Sequence, residues 1–249
     1  MAHVSASIVV EERWALNREV RIHFLDSDQE GTGSRTPIVF VPGVLGSAED
    51  CLTEMQAFAS RRCVAMSLRG RGLSDAPETG YRFEDHVADI EAVVTTANLS
   101  GFCLCGYSVG VAYAIGFASE FPELLRGLVL IDYPARYPAF SESWVERAKP
   151  MMDESKRHAA VGLQREAAER PLWGLLSKIS CPALVLRGGR EDSLLSPEDA
   201  RKYETHLRTA SIQVFHDAGH EIWKPDSSRY LQSLEKFVES VDSLYGRRE

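Results

Sequence analysis

Phe102-Cys-Leu-Cys-Gly-Tyr-Ser-Val-Gly-Val-Ala-Tyr113 contains an apolar run, the pentapeptide Gly106-Tyr107-Ser108-Val109-Gly110, and a second apolar run that continues to Glu120 before Pro122. The first run has the length of a buried strand and the second reads as a helix, so the pentapeptide is a strand-to-helix turn that fits G-x-S-x-G. A turn this sharp thrusts its central side chain outward and crowds the residues two before and two after, where only glycine fits comfortably. Ser108 is therefore a candidate nucleophile at a helix N-terminus, with the Val109 N–H as one candidate oxyanion donor. A glycine-flanked connection with no chemistry is the plainer alternative, and the strand and helix on either side weigh against it.

Outward from this turn, short apolar runs alternate with longer amphipathic stretches, the pattern of a largely parallel sheet covered by helices. Strands are expected at about 6–12 and 20–26, at Ile38–Val41, Val64–Leu68, Phe102–Cys105, Leu128–Ile131, Ala183–Leu186 and Ile212–Phe215. Helices are expected at 48–60, Phe83–Asn98, Val109–Glu120, Pro197–Leu207 and about Asp226–Leu244. The alternation breaks between Tyr133 and Ile179, where charge, helix formers and four prolines accumulate. The expected organisation is one α/β domain over 1–249, with a core of about 1–132 and 179–249 and a small helical cap over about 133–178.

Ligands of open α/β sheets bind beyond the C-terminal ends of the strands, which narrows the choice of histidine. Of the seven histidines, His220 in Asp217-Ala-Gly-His220 is best placed, in a loop just past the last strand. It could act as base with an acid behind it that fixes the tautomer and stabilises the imidazolium. Asp192 and Asp132 both follow strands and both lie between Ser108 and His220. Asp192 has the more glycine-rich approach, and Glu191 is a minor possibility. The loop Val41-Pro42-Gly43-Val44 offers a second oxyanion donor. Pro42 has no N–H, so the Val44 N–H is the candidate.

The chain has 249 residues, 44% apolar and 26% charged, with a formal net charge of −8. That charge disfavours nucleic acid or an anionic membrane as the main partner. No stretch approaches the roughly 18 apolar residues of a membrane span, and the N-terminus lacks a secretory pattern. Five cysteines without metal-like spacing favour a reducing, cytoplasmic setting.

Taken together, Val41-Pro-Gly-Val44, Ser67-Leu-Arg-Gly-Arg-Gly-Leu-Ser74, Gly106-Tyr-Ser-Val-Gly110, Leu186-Arg-Gly-Gly-Arg-Glu-Asp192 and Asp217-Ala-Gly-His220 resemble the α/β-hydrolase superfamily, its serine-nucleophile branch with a small cap. The resemblance implies a mostly parallel sheet of about eight strands flanked by helices. It also implies Asp192 as the acid and Val44 as an oxyanion donor. Two residues depart from the usual pattern: Pro42-Gly43 stands where many relatives have His-Gly, and Ser67 where many have Asp. Arg69 and Arg71 read as ion-paired scaffold. A serine at the turn disfavours the dehalogenase and epoxide hydrolase chemistries of this fold, which use aspartate there.

The implied function is hydrolysis of a carboxylic ester, thioester or lactone of a small to medium apolar acyl group. It would proceed through an acyl-enzyme with Ser108, His220 and Asp192, without metal or organic cofactor. The expected partner is a small-molecule substrate, with no nucleic acid and no membrane, and the sequence does not give the oligomeric state. Tyr133, Tyr137, Phe140, Trp144, Met151, Met152 and Trp173 are candidates to line the substrate pocket under the cap, or else to pin the cap to the body. The other class to weigh is a non-hydrolytic protein of the same fold: a lyase, a cofactor-free oxygenase or a slow-turnover signal receptor.

Overall fold

The computed structural model describes residues 8–27 and 35–246. Its main strands are β1 (Glu11–Asn17), β2 (Val20–Asp26), β3 (Ile38–Val41), β4 (Cys63–Met66), β5 (Phe102–Tyr107), β6 (Leu125–Ile131), β9 (Ala183–Gly188) and β10 (Ala210–Phe215). These eight form one sheet in the order β1-β2-β4-β3-β5-β6-β9-β10. β1 and β2, and β2 and β4, pair antiparallel, and every pairing from β4 onward is parallel. The helices of the core are α1 (Leu52–Ala57), α2 (Phe83–Thr96), α3 (Gly110–Glu120), α6 (Pro197–His206) and α7 (Ser227–Tyr245).

Strand side chains alternate between two cores, as a period of two requires. Val39, Val41, Leu104, Leu128 and Leu130 pack with α2 and α3. Ile38, Phe40, Cys105, Val129 and Ile131 pack with Met55 of α1 and with Tyr230, Leu234 and Val238 of α7. Strands covered on both faces carry continuous apolar runs, which is why β3, β5 and β6 are legible in sequence.

The insertion holds α4 (Glu142–Ala148), α5 (His158–Glu166), 3-10 turns, and a short antiparallel ribbon of β7 (Arg136–Tyr137) and β8 (Arg170–Pro171) that the periodicity does not reveal. It is tied to the loop before α2. Lys156 Nζ donates to the Ser74 carbonyl at 2.8 Å, and Glu166 accepts from the Gly80 and Tyr81 N–H groups, each at 2.8 Å.

Two elements differ from expectation. The first strand begins at Glu11, not near residue 6, and reaches its turn at Arg18-Glu19. Being at the sheet edge, it carries charges that hide its alternation. Residues 6 and 7 of the expected strand lie outside the described residues, as does His3. The helix expected at 48–60 is a 3-10 turn, Ala48–Cys51, followed by the short α1. Among the described residues no helix is long and apolar enough to cross a membrane.

Candidate active site

Ser108 caps β5 with φ +53°, a conformation unfavourable for a side-chain-bearing residue, and its N–H donates to the Ile131 carbonyl at 3.0 Å. Its neighbours explain the flanking glycines. A Cβ on Gly106 would lie 2.7 Å from the Gly110 carbonyl oxygen, and one on Gly110 would lie 2.4 Å from that of Pro42. Gly110→Ala must therefore drive the serine turn away from the Pro42 loop. It is expected to destabilise the fold by about 1–3 kcal/mol, as overpacking against rigid backbone does, and urea unfolding checks this.

His220 reaches the serine from the loop after β10, crossing over the end of β9. Its Nε2 lies 3.0 Å from Ser108 Oγ, and its Nδ1 lies 2.9 Å from Asp132 Oδ2. Tyr107 stacks against the imidazole with ring centroids 4.9 Å apart, and Trp223 meets Tyr107 edge-on at the same separation. One hydrogen-bonded chain thus runs from hydroxyl to ring to carboxylate, with the serine and the aspartate at the ends of adjacent strands β5 and β6.

Asp132 takes the place that Asp192 was expected to fill. Asp132 ends β6 with φ +49° and is fully buried. Besides His220 it accepts from Gly188 N (2.9 Å), Ser193 Oγ (2.6 Å) and Leu194 N (2.9 Å). Burial pushes its carboxyl up. The hydrogen bonds from His220, Ser193, Gly188 and Leu194 outweigh that and hold it below the usual aspartate value. Asp192, by contrast, is exposed, and its carboxylate lies against the Gly219 backbone, where a Cβ would come within 2.0 Å of Oδ1. The glycines after β9 also have another task than presenting Asp192. A Cβ on Gly188 or Gly189 would meet the Gly219 carbonyl oxygen at 2.2 Å or His216 Cα at 2.5 Å, so they let the His220 loop pass.

A depressed folded-state value stabilises the fold above the unfolded pKa, near 3.9, and that contribution is lost as pH falls through the folded value. The stability advantage of the wild type over Asp132→Asn is therefore expected to shrink as pH is lowered from 6 to below about 4. Urea midpoints across that range measure it.

The Pro42–Gly46 loop faces the serine turn: a Cβ on Gly43 would lie 3.3 Å from Ser108 Cβ. Among the described residues, neither the Val44 N–H nor the Val109 N–H donates to a backbone carbonyl, so both are free for an oxyanion. Sequence reasoning missed Arg71 as an anchor for this loop. Arg69 is ion-paired with Asp89, but Arg71 has no carboxylate partner among the described residues. Buried to 3% exposure, it donates from Nε to the Val44 carbonyl at 2.8 Å and from Nη1 to that of Arg69. The guanidinium thus pins the Val44 loop from behind.

A cavity of about 770 Å³ opens onto Ser108 and His220. It runs along the α1/α7 face of the sheet, past Phe40, Cys105, Ile131, Trp223 and Leu231. Of the expected cap residues, Met151 lines it. Tyr133, Tyr137, Phe140, Trp144 and Trp173 do not, which corrects their assignment to the pocket. Tyr137 packs on Phe83 and Tyr113, Phe140 on Trp144, and Trp173 on Tyr203. Tyr133 is buried and its carbonyl accepts from Tyr203. Met152 packs with Val145, Ala148 and Ala160. These aromatics serve to seat the insertion on the α2/α3 face.

A family profile described as the alpha/beta hydrolase fold matches residues 36–157. A 2-(acetamidomethylene)succinate hydrolase of Mesorhizobium japonicum is 30% identical over 47% of this chain, which spans only 43% of that relative's length. An esterase from Exiguobacterium antarcticum superposes with a TM-score of 0.74 at 19% identity, over 91% of this chain and 98% of its own. An enol-lactonase from Burkholderia xenovorans superposes with a TM-score of 0.75 at 19% identity, over 91% of this chain and 100% of its own.

Proposed function

We propose that this chain, which belongs to the α/β-hydrolase superfamily, is a serine hydrolase that cleaves a carboxylic ester, thioester or lactone through an acyl-enzyme on Ser108. The observation that carries the reading is the continuous hydrogen-bonded chain Ser108 Oγ–His220–Asp132, at 3.0 and 2.9 Å, opening into a cavity.

His220 Nε2 takes the hydroxyl proton as Oγ attacks the carbonyl carbon. Asp132 keeps the proton on Nδ1 and stabilises the imidazolium. The free Val44 and Val109 N–H groups receive the oxyanion. The imidazolium then protonates the leaving alcohol, thiol or ring oxygen, and water activated by the same histidine releases the acid. An apolar portion of the substrate lies along Phe40, Ile131 and Leu231 on the α1/α7 face. The five free thiols accord with a reducing, cytoplasmic setting, which belongs to the same proposal.

The test is turnover of short-chain p-nitrophenyl esters, acyl thioesters and acyl lactones by the purified protein. Hydrolysis of at least one class is expected, and absence of hydrolysis in all three contradicts the reading. Within it, Arg71→Met frees the Val44 carbonyl and loosens the oxyanion loop. The expected result is a fall in kcat of about ten- to a hundredfold with a smaller change in KM, since a misplaced donor weakens mainly the transition state. Steady-state kinetics on the best ester checks it.

A further inference from the structure

The cavity beside Ser108 has a charge character that narrows the substrate class. Its charged lining consists of Asp50, Glu54, Asp192 and Glu221, and no lysine or arginine lines it. Three of these carboxylates are exposed at its rim, and Glu221 there is paired with Lys224 at 3.0 Å. Glu54 differs in being half-buried on α1, in the same lining as Tyr230 of α7, and burial raises its carboxyl above the usual glutamate value. Among the described residues it has no cationic partner. A carboxylate drawn out of water into an apolar surround is costly unless a positive or donating group meets it. Cys51, Cys105, Trp223 and Leu231 supply that surround, and Tyr230 lines the cavity beside them.

We propose that the group entering between α1 and α7 is an apolar chain bearing a protonated amine, which Glu54 receives, and that substrates bearing a carboxylate there are rejected. This rests on the serine hydrolase reading, since Ser108 and His220 define the reacting end of the cavity. Glu54 is a specificity-determining residue in it. The ammonium donates to the Glu54 carboxylate, while the methylene chain covers Trp223 and Leu231. A carboxylate in the same position meets a like charge and finds no cation in the lining to offset it.

The experiment compares kcat/KM for three ethyl esters of matched length, those of 6-aminohexanoate, heptanoate and adipate (as the half-ester), with release of the acid followed by chromatography. The amino ester is expected to exceed the neutral one by about tenfold, through KM, and the acidic one by more, as a charge-assisted hydrogen bond implies. In Glu54→Gln, which keeps the side-chain shape and an acceptor oxygen but loses the charge, the amino-to-neutral ratio is expected to collapse to within about twofold. A wild type that prefers the neutral or acidic ester overturns the proposal, as does a ratio that survives Glu54→Gln. Should the variant not fold, inhibition of the wild type by hexylamine against hexanoate decides, stronger inhibition by the amine being expected and the reverse order overturning it. Failure of the parent reading is distinguishable, because then none of the three esters is hydrolysed.

Discussion

Asp132→Asn is expected to lower kcat by about 10⁴-fold, as loss of the acid in such an arrangement does by freeing the wrong imidazole tautomer. Asp192→Asn is expected to cost at least about a hundredfold less, since its carboxylate rests on the Gly219 backbone and does not touch the His220 ring nitrogens. The contrast is physical, because an asparagine at position 132 can offer its amide N–H to Nδ1 and drive the proton to Nε2, where it blocks acceptance from Ser108. Kinetics of the two variants on one ester, with far-ultraviolet circular dichroism to confirm folding, measure the difference. An Asp192→Asn loss equal to or larger than that of Asp132→Asn would return the acid to the loop after β9.

Ser108→Ala has the largest effect expected. With no hydroxyl to attack, kcat is expected to fall by about 10⁶-fold, leaving only the slow reaction that the cavity and the free N–H groups support with water. Binding survives, because the Val44 and Val109 donors and the cavity walls are unchanged, so KM or an inhibitor constant is expected to move little. Little change in the fold is expected either: at position 108 the backbone conformation is fixed by the bond from its N–H to Ile131 and by the glycines on either side. Pre-steady-state and steady-state rates on the same ester, with a thermal melt of each protein, give both halves. A variant that retained turnover within about tenfold of the wild type would show that chemistry does not pass through this hydroxyl.

The serine turn was legible because its constraint is local. Gly106 and Gly110 are demanded by contacts within four residues and with the adjacent Pro42 loop, and the two apolar runs advertise the strand and helix. His220 was legible from its place after the last strand. The acid was not, because Asp132 and Asp192 both follow strands in the required chain order. What separates them is tertiary: the left-handed turn at Asp132 and the donors that Gly188, Ser193 and Leu194 bring from a segment more than fifty residues away. The pocket was hidden for a related reason. Alternation along β3 and β5 says which residues face each side of the sheet, but not which side is left open. The aromatics of the insertion are consumed in packing on α2 and α3, and the opening falls beside Glu54, Trp223 and Leu231. In the sequence, Arg69 and Arg71 look alike, two arginines in one glycine-rich loop. Their separate fates, one on Asp89 and the other on the backbone carbonyls of Val44 and Arg69, follow from the turn between them at Gly70, φ +77°.

Reaction of the protein with a fluorophosphonate, followed by digestion and mass spectrometry of the peptides, asks directly whether a hydroxyl held 3.0 Å from an imidazole is activated. The expected result is a single adduct on Ser108, formed in the wild type and strongly slowed by His220→Ala. An adduct on another residue, or equal labelling of the His220→Ala variant, would contradict the assignment of this serine as the nucleophile.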